Sequence, residues 1–304
     1  VSAGANLRLD HDWIQKWMPN DGSVLFEDLS NSTGVLVVAG PKSRELMYKV
    51  SKFFMFSFLC IIVLLGSNSY GNYKAVEKDT LKILFVGNSF TYFYNLPQVL
   101  NSLSKYSNKI HFETKHSLVG GSTIRTHLNQ KRGTKTIKIL NEEIFDYVII
   151  NHHSLATIND HESFIETSKQ IVNLVRSKSA IPVFMQTWAY YSKPLMINTI
   201  ASAYKEMSEL LSVDIIPCGQ ILSVVRKRRP ELNLFDDDDK HPSKNATYIN
   251  ALAFFKYFTN EKTKNIPKRI TTIDKNNQKL YLLFLSEENA DFLQGIIDNY
   301  DLKT

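Results

Sequence analysis

From residue 79 onward the chain alternates short, nearly unbroken apolar or β-branched runs with longer stretches whose apolar residues recur every three or four positions. Unbroken runs of about four to eight residues suit strands buried on both faces, and the longer period gives a helix one side to lay on a sheet. The alternation predicts parallel strands joined by crossover helices, an α/β fold. Strands are expected over 82–87, 110–117, 147–151, 181–188 and 214–217. Between the third and fourth, 162–176 sets Phe164, Ile171, Val172 and Val175 at helical spacing, a face that covers a sheet. Further helices are expected at 196–211, at 220–227 and from Ser243, where Ile249, Leu252, Ala253 and Tyr257 share a side. Beyond Thr259 the chain turns lysine-rich, and 270–302 predicts a strand or helix appendage, counted from about 266 within a domain spanning 79–304.

The first apolar run, Ile83-Leu84-Phe85-Val86, stops at Gly87-Asn88-Ser89. A serine at the carboxyl end of the first strand of such a sheet lies in the crevice where α/β folds place ligands. Serine is a weak nucleophile at neutral pH and needs a base within hydrogen-bond reach. The late segment Asp236-Asp237-Asp238-Asp239-Lys240-His241-Pro242 offers one in His241. The base in turn needs an acceptor for its other ring nitrogen. Asp238, three residues earlier, has the favoured spacing, with Asp236, Asp237 and Asp239 as rivals. The helix expected after His241 anchors its backbone.

Val86-Gly87-Asn88-Ser89-Phe90-Thr91 resembles the first block of the SGNH (GDSL-like) hydrolases, and Asp238-Asp239-Lys240-His241-Pro242-Ser243 resembles their last. The resemblance spans about 81–259 and is nearest to a branch whose first block opens Gly-Asn-Ser-Phe-Thr. It implies a flavodoxin-like three-layer sandwich with a central parallel sheet, and hydrolysis of an ester, often an acyl group on a carbohydrate or lipid. Carried over, Ser89 is the nucleophile, His241 the base and Asp238 its orienter, working through an acyl-enzyme without a cofactor. The oxyanion donors are the Ser89 amide and a second-block glycine; Val119-Gly120-Gly121-Ser122-Thr123 fits that block, with Gly121 preferred over Gly120. The third block departs from the pattern: where the family presents Gly-x-Asn-Asp, this chain reads Asn151-His152-His153-Ser154. Asn151 is taken as the third donor, with His153 or Ser154 as alternatives in that register.

Other residues change the picture less. Trp188 is placed to line the crevice and support a sugar ring or acyl chain, or else to lie as a lid on the core. His152 and His153 with His241 and the aspartates suggest metal ligands, but adjacent extended histidines point apart, so no metal is expected. The chain of 304 residues is 43% hydrophobic and 22% charged, an ordinary globular composition with a net charge of +6. Its lysines are interspersed with acids, so no nucleic-acid partner is expected. The substrate is taken as a small-molecule or carbohydrate ester; oligomeric state is unreadable. A domain of the same fold that binds carbohydrate or acts as a scaffold without turnover is the alternative, motivated by the divergent third block.

Two segments precede the hydrolase-like domain. Residues 47–71 have a basic start, an apolar stretch from Phe53 to Leu65 and a small-residue end, the three parts of a secretory signal. The apolar stretch is short for a membrane span, which needs about twenty residues. It implies a secreted or periplasmic protein that meets the membrane only through this signal. Once the signal is removed, Cys218 is the one cysteine left. Within residues 10–46, His11-Asp12-Trp13-Ile14, Phe26-Glu27-Asp28-Leu29-Ser30 and Gly34-Val35-Leu36-Val37-Val38-Ala39-Gly40-Pro41 resemble a fragment of the folate-binding aminomethyltransferase-like region of dimethylglycine and sarcosine dehydrogenases. A true start at Met47 is therefore expected, with 1–46 a fused or non-native fragment. Amino-terminal sequencing of the native protein tests this, and recovery of residues before Met47 would overturn it.

Overall fold

The computed structural model describes residues 78–302; the two segments read as a fused fragment and an export signal lie outside the described residues. Five strands, β1 (Asp79–Gly87), β2 (Ile110–Leu118), β3 (Tyr147–Ile150), β4 (Ile181–Met185) and β5 (Asp214–Ile216), form a parallel sheet in the order β2-β1-β3-β4-β5. Strand β1 lies inside the sheet between β2 and β3, with Phe85 opposite His116 on one side and Ile149 on the other. The strand order reverses between β1 and β3, and the crevice outside their carboxyl ends is the topological switch point. Ser89 leaves β1 there, opening the short helix α1 (Ser89–Tyr92).

A 3-10 turn, Phe93–Asn95, leads into α2 (Leu96–Leu103). After β2 come α3 (Ile124–Leu128) and α4 (Thr136–Glu142), then α5 (Ala156–Asn159) and α6 (His161–Ser177) after β3. Helix α7 (Met196–Leu211) precedes β5, and α8 (Cys218–Arg228) follows it. The strand period of two sends Ile83 and Phe85 to one face of the sheet and Leu84 and Val86 to the other. On the first face they join Val99 and Leu100 of α2, Ile221 of α8, and Ile249 and Leu252 of α9 (Lys244–Thr259). On the second they join Ile139 of α4, Ile171 and Val175 of α6, and Tyr204 and Met207 of α7. The result is the expected three-layer sandwich.

Two expectations are corrected. Strand β4 ends at Met185, not Trp188, because its partner β5 ends at Ile216, so the Gln186 N–H to Ile216 C=O bond is the last rung. The chain then turns over α8, whose Gly219 lies so close that a Cβ there would sit 2.1 Å from the Thr187 carbonyl oxygen. The carboxyl-terminal segment is also more than an appendage. It forms an antiparallel hairpin, β6 (Arg269–Ile273) and β7 (Lys279–Phe284), and helix α10 (Glu287–Asp298). Ile270, Leu283, Leu293 and Ile297 from these elements are fully buried in the first-face core. Helix α9 is apolar on nearly every side, so it needs this second cover as well as the sheet.

Buried polar groups fix the loops at the carboxyl edge of the sheet. Asn88, 2% exposed, caps α1 by accepting from the Phe90 N–H at 3.1 Å. Its amide donates to the Ser122 carbonyl at 3.2 Å and to the His152 carbonyl at 3.1 Å, tying together the loops that follow β1, β2 and β3. Gly87 lets β3 approach, since a Cβ there would lie 2.8 Å from the Asn151 Cβ. His152 is buried between Phe164 and Phe184, with Nε2 2.8 Å from Ser168 Oγ. Ser168 uses its own proton on the Phe164 carbonyl, so it accepts from a neutral imidazole.

Two stability measurements follow. Asn88→Ala is expected to lower unfolding free energy by about 2–4 kcal/mol in urea, through the lost cap and two lost buried donors. Asn88→Asp keeps the capping acceptor but loses both donors, and is expected to fare no better; a wild-type midpoint for it would refute the bridging role. Burial pushes the His152 pKa from 6.5 down to about 3. The unfolded chain therefore takes up a proton that the folded chain refuses as pH falls below 6.5, and stability declines over that window by at most about 1.4 kcal/mol per unit. His152→Gln is expected to flatten that decline in urea titrations between pH 6.5 and 4; an unchanged slope would contradict it.

Candidate active site

The loop joining α8 to α9 folds back on itself before it reaches α9. Phe235 and Pro242 form an antiparallel bridge, and the Asp236 N–H donates to the His241 carbonyl at 2.9 Å. Within this closed loop the Asp238 carboxylate is an Asx-type acceptor: its Oδ1 takes the His241 N–H at 2.9 Å and the Lys240 N–H at 3.2 Å. Its other oxygen, Oδ2, accepts from His241 Nδ1. A carboxylate only accepts, so in the neutral ring the proton is fixed on Nδ1 and Nε2 carries the free lone pair. Ser89 Oγ lies 2.7 Å from that Nε2 and donates to it. Desolvation pushes the Asp238 pKa up, but the His241 and Lys240 amides and the imidazole outweigh it and hold the carboxyl below its ordinary range. Ser89, His241 and Asp238 thus form one connected hydrogen-bond chain at the switch point.

The rival aspartates have other partners. Asp239, at φ 71°, accepts from the Ser192 N–H at 3.0 Å and from the Ser192 hydroxyl, while its carbonyl takes the Tyr191 N–H at 2.9 Å. It ties the loop after β4 to the histidine loop. Asp236 accepts from the Asp237 N–H at 3.0 Å.

Trp188, read either as lining the crevice or as a lid on the core, takes the second place, which corrects its assignment to the substrate crevice. It is 1% exposed, stacks on Phe90 with centroids 4.5 Å apart, and donates its Nε1 proton to the Lys240 carbonyl at 2.9 Å. Its place is behind the site, because the early exit of the chain from β4 turns it inward against α1. Cys218 is also fully buried, and burial pushes its thiol pKa up, leaving an inert packing residue.

On the other side of Ser89, the turn after β2 is closed by the Ser122 N–H to Val119 carbonyl bond at 3.0 Å. Gly121 sits in it at φ 63°, a left-handed conformation that favours glycine. Gly120 faces the Tyr92 hydroxyl, which a Cβ would approach to 3.0 Å. Below the turn, His127 is fully buried: its Nε2 lies 2.9 Å from Ser122 Oγ and its Nδ1 2.7 Å from Thr136 Oγ1. Ser122 Oγ donates to the Gly87 carbonyl at 2.8 Å, so the network pins the glycine turn to the end of β1. Burial lowers the His127 pKa and keeps the ring neutral.

The three residues weighed as a further donor differ in setting. Asn151 is 1% exposed; its Oδ1 accepts from Thr91 Oγ1 at 3.2 Å, and its Nδ2 is enclosed without a partner among the described residues. Ser154 Oγ is 2.8 Å from the Tyr190 hydroxyl. His153 is half-buried, and its Nδ1 accepts from the Leu155 N–H at 3.3 Å, which places the proton of the neutral ring on Nε2. Burial and the nearby Lys240 charge lower its pKa, so that neutral form prevails at pH 7. Among the described residues, no three His, Cys, Asp or Glu side chains are grouped to hold a metal ion.

Sequence reasoning did not single out Asn88, His127 or Phe93. Phe93 stacks face to face on the His241 ring, with centroids 4.0 Å apart and planes 7° from parallel. Only the Asn88 capping position carried a local signal, an asparagine before a helix-opening serine.

No protein-family model matches the chain, and no curated protein matches it. Solved structures do. A candidate SGNH hydrolase from Slackia heliotrinireducens, 21% identical, aligns over 60% of this chain and 100% of its own with a TM-score of 0.50. A DUF4886 family protein from Bacteroides uniformis, 20% identical, aligns over 73% of this chain and 94% of its own with a TM-score of 0.56. Identities this low speak for architecture, and the architecture agrees with the expectation: a five-stranded parallel sheet between helical layers, in the fold of the SGNH hydrolases.

Proposed function

We propose that this protein is an SGNH-type serine esterase that hydrolyses an acyl ester through Ser89, His241 and Asp238. The observation that carries the reading is the connected geometry, with Ser89 Oγ 2.7 Å from His241 Nε2 and His241 Nδ1 bonded to Asp238. Ser89 Oγ attacks the ester carbonyl carbon while its proton passes to His241 Nε2. The imidazolium, neutralised by Asp238, gives that proton to the departing alcohol oxygen, leaving an acyl-serine. Water then attacks the acyl carbon, its proton passing to His241 and on to Ser89 Oγ as the acid leaves. No cofactor enters these steps.

The Ser89 and Gly121 N–H groups receive the developing oxyanion. For a third donor, the half-open His153, with its proton on Nε2, suits the role better than the enclosed Asn151. Substrates are small-molecule or carbohydrate esters, met outside the cytoplasm if the 47–71 signal operates.

The test is hydrolysis of a panel of p-nitrophenyl and sugar acyl esters. Ser89→Ala and His241→Ala are each expected to lower kcat by about 10⁴-fold or more, and Asp238→Asn by a comparable factor. His153→Ala is expected to cost about 10²–10³-fold, and Asn151→Ala much less. Undiminished hydrolysis by Ser89→Ala would reject the mechanism. Wild-type inactivity on every ester, with retained sugar binding, would favour the binding-domain alternative suggested by the divergent third block.

A further inference from the structure

We propose that Phe93 is a positioning residue for His241, holding the imidazole in line with Ser89 and stabilising its protonated form across the ring face. The inference rests on the serine-esterase reading and goes beyond it, since neither the nucleophile block nor the histidine block contains this residue.

Three independent observations carry it. The stacking is close and nearly parallel, 4.0 Å and 7°, while Phe90 meets the same imidazole edge-on at 5.7 Å and 72°. Phe93 is also tied to the nucleophile, because its backbone N–H donates to the Ser89 carbonyl at the end of α1. One residue thereby links the backbone of the serine to the ring of its base. The third observation is conformational. Tyr94 (φ 48°, ψ 24°) and Asn95 (φ 52°, ψ 53°) are both left-handed, directly after Phe93. Asparagine tolerates this region, but a bulky tyrosine there is a genuine outlier. Strain of that kind persists only where the surroundings over-determine it, and it gathers at functional sites. Here it bends the chain sharply between α1 and α2, which leaves the Phe93 ring over His241.

The chemistry follows from charge. The face of an aromatic ring is electron-rich and attracts a cation within about 6 Å of its centroid. His241 is neutral before reaction and cationic once it holds the Ser89 proton, so the attraction grows as the acylation transition state is approached. Interactions of that kind raise kcat more than they change ground-state binding. Of the charged groups around His241, Asp238 accepts on Nδ1 and Asp239 accepts from Ser192, while the Lys240 charge acts on His153 and the Asp236 and Asp237 charges on Tyr94. Lys244 stands 5.9 Å over the Tyr94 ring.

The experiment compares Phe93→Leu, Phe93→Tyr and pentafluorophenylalanine at position 93 in the full chain, with p-nitrophenyl acetate as substrate and Ser89→Ala as control. Pentafluorophenylalanine keeps nearly the same shape but inverts the polarity of the ring face. Phe93→Leu and the fluorinated variant are expected to lower kcat by about 3- to 30-fold with KM within about two-fold. The acid limb of their pH–rate profiles is expected to move to lower pH, because the imidazolium loses support. Phe93→Tyr should restore wild-type behaviour. NMR titration of His241 reads the same shift without needing turnover. A fluorinated variant equal to wild type in kcat and in His241 titration would overturn the proposal. If Ser89→Ala stays active, the serine mechanism fails; if it is inactive while the Phe93 series is flat, this inference alone fails.

Discussion

The site depends on the Asn88 side chain. Three loops leave the carboxyl edge of the sheet, after β1, β2 and β3, and each has to present backbone in one small volume. A single buried amide joins them by accepting at the start of α1 and donating to Ser122 and His152. Because amide hydrogen bonds are directional and costly to leave unmade in a dry environment, the three loops are held in one mutual arrangement. Ser89, the glycine turn and the divergent third block are thereby placed together. Gly87 is the steric counterpart, since the amide bridge closes only if β3 can come that near.

His241 is held by a different principle. The histidine loop owes little to the sheet and much to itself: a bridge from Phe235 to Pro242, an aspartate taking two amides, and a left-handed Asp239 that reaches the loop after β4. Ser243 then caps α9, which is buried along almost its whole length. A self-closed loop anchored at the start of a buried helix can deliver one side chain accurately to a distant strand end. Trp188 and Phe90 back this delivery from below, the indole fixing the Lys240 carbonyl and the phenyl ring lying against both aromatics.

How much of this was legible depended on how local the chemistry is. The strand ending at Gly87 and the Asp238 to His241 spacing lie within a few residues, so pattern alone placed them, and the parallel order of strands followed from the alternation. The contact of Asp238 rather than Asp239 with His241 was legible for the same reason, since an Asx turn needs only its neighbours. Which of the two readings of Trp188 holds was not, because its orientation is set by where β5 ends, thirty residues away in sequence from the turn it forces. The standing of Asn151 depends on what closes over it, Gly87 and Thr91, and no strand pattern encodes that. Phe93 was hidden because two residues after it adopt a conformation that sequence rules reserve for glycine and asparagine.

The carboxyl-terminal hairpin and helix, first taken as an addition to the domain, have a consequence for synthesis. Ser89 and His241 are separated by 152 positions, and the face of α9 that anchors the histidine loop is completed by side chains lying later still. As the chain emerges from the ribosome, the second-face core has all its residues by Ile215, whereas the platform under the histidine loop waits for β6, β7 and α10. Ser89 is therefore made well before the loop that carries His241 has a complete platform, and the two are held together only once the hairpin and α10 have been added.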